Sequence, residues 1–62
     1  MVTVEIRAPG EKPLRQVLEA RLLYRKGTNR EWYVDLRDRE EADLLVVHLN
    51  LLPRVRAHIL GE

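Results

Sequence analysis

Apolar and polar residues alternate one for one through Val2-Thr3-Val4-Glu5-Ile6-Arg7-Ala8, which is the period of a strand with one buried face. Pro9-Gly10-Glu11-Lys12-Pro13 then interrupts the pattern, because proline removes a ladder donor and glycine frees the backbone. Residues 14–26 admit two readings. Leu14, Val17, Leu18 and Leu22 fit a helical stripe, but Arg21 falls inside it and no Ser, Thr, Asp or Asn caps its start.

As a strand, the same stretch finds partners on both sides. A hairpin closed over 26–30 sets Tyr24, Leu22 and Ala20 against Trp32, Val34 and Leu36 on the inward face. Its outward pairs include Arg25–Glu31, Arg21–Asp35 and Glu19–Arg37, each opposite in sign. Pairing with the first strand likewise joins Ile6 to Ala20 and Val4 to Leu22, with Arg7–Glu19 and Glu5–Arg21 outward. Charge complementarity in both registers favours the strand over the helix. The expected sheet is a three-stranded antiparallel meander over about 2–8, 18–26 and 31–37.

Residues 38–52 change period. Asp38 and Glu41 resemble a capping box, acidic residues crowd the first turn, and Pro53 stops the helix. At 100° per residue, Ala42, Leu45, Val46, Leu49 and Leu52 form a stripe able to cover a small sheet. Leu44, Val47 and Leu51 form a second apolar stripe on the opposite side, with His48 along one border. Arg54-Val55-Arg56-Ala57-His58-Ile59 alternates again, so about 54–60 reads as a short C-terminal strand or turn. The fold class expected is α+β, one small domain over 1–62.

Size sharpens the meaning of the second stripe. A chain of 62 residues buries only about 60% of its unfolded surface, and small domains usually supplement that burial with disulfides, a metal or a partner. Cysteine is absent, and His48 and His58 stand without a set of acidic ligands at metal spacing. That leaves association. A helix apolar on two sides is buried on two sides, so Leu44, Val47, His48 and Leu51 are the expected interface of a homodimer or of another protein subunit. Folding of the chain's own tail over that flank is the competing explanation, and simple tolerated exposure of surface leucines is a third.

Charge adds little bulk attraction. Eleven basic and ten acidic residues give a net charge of +1, too small a field to recruit nucleic acid by itself. The longest apolar run, Leu44–Val47, is far too short for a membrane span, and a cytoplasmic protein is expected. The excess of arginine over lysine would suit a thermophile or simply a GC-rich genome. The chain has no serine or cysteine nucleophile, and its three glycines lie far apart, so no catalytic, cofactor-binding or metal residue is assigned.

Arg25, Lys26 and Arg30 flank the expected hairpin tip, with Arg54 and Arg56 as a second basic strip. These are the candidate nucleic-acid contacts, weighed against plain solvated turn charges that discourage edge association. The expected outward sheet face is neutral and offers one aromatic, Tyr33, where a stacking platform would hold more. The sequence therefore favours a small non-catalytic interaction or regulatory module, acting as a homodimer or as a subunit of a larger assembly. Weak nucleic-acid binding through a basic hairpin tip is the alternative.

Overall fold

A computed structural model describes residues 1–18 and 30–61 and the backbone of 24–25. The elements run β1 (Val2–Arg7), α1 (Lys12–Leu18), β2 (Tyr24–Arg25), β3 (Glu31–Leu36), α2 (Arg39–Asn50) and β4 (Arg56–Ile59). The antiparallel α+β class, the helix within 38–52 and the C-terminal segment agree with the sequence, and that segment is a strand.

The strand pairing differs from a meander. The sheet order is β2-β3-β1-β4, so β1 lies against β3 and β4 and not against β2. Val4 faces Val34 and Ile6 faces Trp32 on one side of β1, while Ile6 faces Ala57 and Val4 faces Ile59 on the other. All neighbouring strands are antiparallel, and each helix joins two strands that are not neighbours. This is the split β-α-β arrangement used twice, the ferredoxin-like topology. Topology alone assigns no function.

The hairpin register also shifts by one residue, placing Tyr24 opposite Tyr33 and Arg25 opposite Trp32. The predicted Tyr24–Trp32 and Arg25–Glu31 pairs are therefore not formed. The pairs expected at Glu19, Ala20, Arg21 and Leu22 lie outside the described residues.

Residues 12–18 are helical, where the sequence favoured a loop leading into a strand. Pro13 is tolerated in the first turn, where its missing N–H would have no helical partner. The Glu11 carbonyl accepts from the N–H groups of Leu14 and Arg15, and the Glu11 carboxylate pairs with Arg15 at 3.4 Å. Leu14 and Leu18, one turn apart, are completely buried, and α1 lies beside α2.

Helix α2 follows its sequence signals. The Asp38 side chain accepts from Glu40 N–H at 3.1 Å, satisfying one of the unpaired first-turn donors. Ala42, Leu45 and Leu49 are buried and Val46 and Leu52 partly so, against Val4, Ile6, Val34, Leu36, Ala57 and Ile59. That is the predicted inner stripe on the even-numbered face of β1 and β3. After α2 the chain reverses into β4, with Arg54 at φ 64° in the left-handed region.

β4 is an edge strand, yet its outer side is partly closed by a side chain. Asn50 Oδ1 accepts from Ala57 N–H at 2.8 Å, and Asn50 Nδ2 donates to the Ala57 carbonyl at 3.1 Å. The amide thus imitates the neighbouring strand that an edge lacks. Asn50→Ala is expected to cost about 1–3 kcal/mol by leaving both groups without that partner. An unfolding midpoint equal to the wild type's would show that the two bonds contribute nothing.

Candidate functional site

The outer flank of α2 and an arginine-lined cleft at one end of the sheet stand apart from the folded core. Leu44, Val47 and Leu51 are 60%, 58% and 77% exposed, and His48 is exposed beside them. Their spacing of three and four residues aligns all of them along one side of the helix. The described part of the tail does not cover this flank. It runs as β4 at the sheet edge, beside β1, so the competing intrachain explanation fails among the described residues.

The cleft occupies about 370 Å³ and is bordered by Arg7, Arg30, Arg54 and Arg56, with Glu31 as the acidic residue. Its position follows from the ladder. Arg7 ends β1, opposite Glu31 on β3 and opposite Arg56 on β4. Arg30 stands next to Glu31, its carbonyl accepting from Ala8 N–H at 3.2 Å, and Arg54 enters from the turn after α2. The Arg7 guanidinium approaches Glu31 at 3.6 Å.

Of the predicted basic contacts, the structure brings Arg30, Arg54 and Arg56 together and adds Arg7. Arg25 lies on β2, and Lys26 is outside the described residues. As a meander, the sequence pairs Arg7 with Glu19 on the outward face. Its true neighbours become visible only once β1 is known to lie between β3 and β4.

The solvent face of the sheet carries a separate polar network. Tyr33 donates its hydroxyl to Glu5 Oε2 at 2.8 Å, and His58 Nε2 lies 3.2 Å from Glu5 Oε1. Thr3 donates to Asp35 at 2.7 Å. The Glu5 carboxylate thus ties β1 to both neighbouring strands. Glu5, Glu31 and Asp35 outnumber Arg7 and Arg56 on this face, and the phenol of Tyr33 is already engaged, so the face is a poor platform for stacking bases.

The hydrogen bond to Glu5, reinforced by burial, raises the pKa of Tyr33 above its ordinary value. Folding therefore favours the neutral phenol. That stabilisation is complete below the ordinary phenol pKa and is lost as pH climbs through the higher folded value. Stability is expected to decline on the alkaline side, and Tyr33→Phe should flatten the decline in a series of denaturation midpoints. An equally steep decline in the variant would assign it to another group.

Among the described residues no cluster of three or more His, Asp or Glu side chains could hold a metal ion. No helix among them is long and apolar enough to cross a membrane. No protein-family model, curated protein or solved structure matches the chain.

Proposed function

We propose that the protein is a small non-catalytic interaction module that works as a two-fold homodimer through the outer flank of α2. The observation supporting this reading is the exposed run of Leu44, Val47 and Leu51 on a helix whose opposite side is fully used by the core. A second copy is the natural occupant because one self-complementary patch then serves both molecules. With the helices antiparallel and the axis near Val47 and His48, Leu44 of each copy meets Leu51 of the other. The acidic first turn, Glu40 and Glu41, then lies toward the C-terminal end of the partner helix, while His48 stays near the axis. The opposed helix dipoles favour that orientation.

The expected affinity is modest. Burying each of these partly exposed side chains contributes about 1–2 kcal/mol, so three from each copy give roughly 6–12 kcal/mol before the cost of association. That cost is itself about 4–15 kcal/mol. The pair therefore belongs in the micromolar range or weaker, and a concentration series is needed to see it.

A regulatory or assembly role in the cytoplasm suits an association that responds to concentration. The non-catalytic assignment draws on the cleft, which is bordered by arginines instead of an acid–base pair. Sedimentation equilibrium from low micromolar to near-millimolar protein is the test. The average mass should rise toward that of a dimer, and the melting temperature should rise with it. A monomeric mass throughout would overturn the reading, as would a mass fixed by a different protein bound in its place.

A further inference from the structure

We infer that the cleft between the ends of β1, β3 and β4 binds a small anion bearing a phosphate group of two or more negative charges. The site is independent of the α2 flank and of the dimer.

Three observations meet there. Arg7, Arg30, Arg54 and Arg56 border a single opening, against one carboxylate, Glu31. This is a local excess of three positive charges in a chain whose total is +1, so the rest of the molecule is net acidic. Among the described residues, Arg30, Arg54 and Arg56 form no ion pair.

The arrangement is also held against local preference. Arg7 and Arg56 stand directly opposite each other across the β1–β4 ladder, a like-charge pairing that destabilises a sheet. Arg54 adopts φ 64°, a conformation that glycine or asparagine accepts more readily than a long side chain. Backbone strain and like-charge contact at one opening suit a ligand that neutralises the cluster when it arrives.

Guanidinium chemistry specifies the ligand class. Each planar fork offers parallel N–H donors matched to two oxygens of a phosphate. A phosphate monoester or a diphosphate presents several such oxygens and at least about −1.5 charge near neutral pH, which fits the excess at the cleft. A nucleic-acid backbone spreads single charges along a strand and would need a longer basic track. The acidic residues on the sheet face interrupt such a track.

The probe is pyrophosphate, titrated calorimetrically into the full chain at physiological ionic strength. Saturation at one ligand per chain with a dissociation constant below about 1 mM is expected. Arg54→Gly and Arg56→Ala should each weaken binding about tenfold or more. Arg15→Ala, which removes the same charge from an exposed position on α1, should leave it unchanged. Arg54→Gly also separates the ligand effect from folding, because glycine relieves the left-handed backbone. That variant should melt no lower than wild type, while the rise of several degrees that saturating pyrophosphate gives the wild type disappears.

Absence of saturation would overturn the proposal. So would an equal loss in Arg15→Ala, which would reduce binding to general charge. Tight binding of a single-stranded oligonucleotide that pyrophosphate does not displace would overturn it too, replacing the site with a nucleic-acid track.

Discussion

Val47→Glu is expected to abolish self-association while leaving the fold intact. Val47 is 58% exposed on the flank opposite the core, so a charged residue there stays in water in the isolated chain. Surface substitutions of this kind change stability by only about ±0.5 kcal/mol. In the proposed dimer the two carboxylates would meet near the two-fold axis in an apolar seam. Burying an unpaired charge costs several kcal/mol, more than the modest net affinity estimated above, so dimerisation should weaken by over about 100-fold. The measured result should be a monomeric mass at every concentration, with an unfolding midpoint at low concentration equal to the wild type's. If wild type and variant sediment identically, the α2 flank is not the contact. A fall in midpoint at high dilution would instead place Val47 in a structural role its exposure argues against.

Leu14→Ala is expected to be the most damaging of the changes considered. Leu14 is completely buried among Leu18 and the residues of α2, and truncating such a side chain costs about 2–5 kcal/mol. At roughly 0.05–0.15 kcal/mol per residue, a chain of 62 residues has a stability of about 3–9 kcal/mol, so the loss would reach a large part of it. The substitution also separates the two readings of this stretch. In the loop that the meander required, Leu14 would be dispensable and alanine would change little. A midpoint within error of wild type would therefore remove α1 from the core. Denaturant titration with a common slope for both proteins is the appropriate measurement.

Why α1 was hidden in the sequence is a matter of length. It has seven residues, too few for helical propensity to hold it alone. It exists because Leu14 and Leu18 bury themselves in the common core, and that contact is tertiary. The missing N-cap signal pointed the same way, since Glu11 precedes the helix with only its carbonyl accepting the first helical bonds and its carboxylate paired with Arg15.

The mistaken sheet order has a different origin. Even-numbered residues face inward on β1, as the alternation predicted, and Val34 and Leu36 on β3 do the same. Pairing Val4 with Leu22 or with Val34 preserves this parity equally well, so hydrophobic period cannot choose between them. Charge did not decide it either. Arg7 finds an acidic neighbour in Glu31 as readily as it would have in Glu19, and Glu5 is satisfied by Tyr33 and His58. The local rules were degenerate, and the long connection over 9–17 was the feature that argued against a simple hairpin.

By itself the sequence determined the class of structure, the inward side of β1, β3 and α2, and the apolar second flank at Leu44, Val47 and Leu51. Each of these depends on the period of a single element, and that period is written in consecutive residues. Only the tertiary structure decided which strands are neighbours, that Asn50 closes the β4 edge, and that Arg7 joins Arg30, Arg54 and Arg56 around one cleft. Those features bring together residues far apart in the chain, and their proximity is set by how α1 and α2 carry it across the sheet.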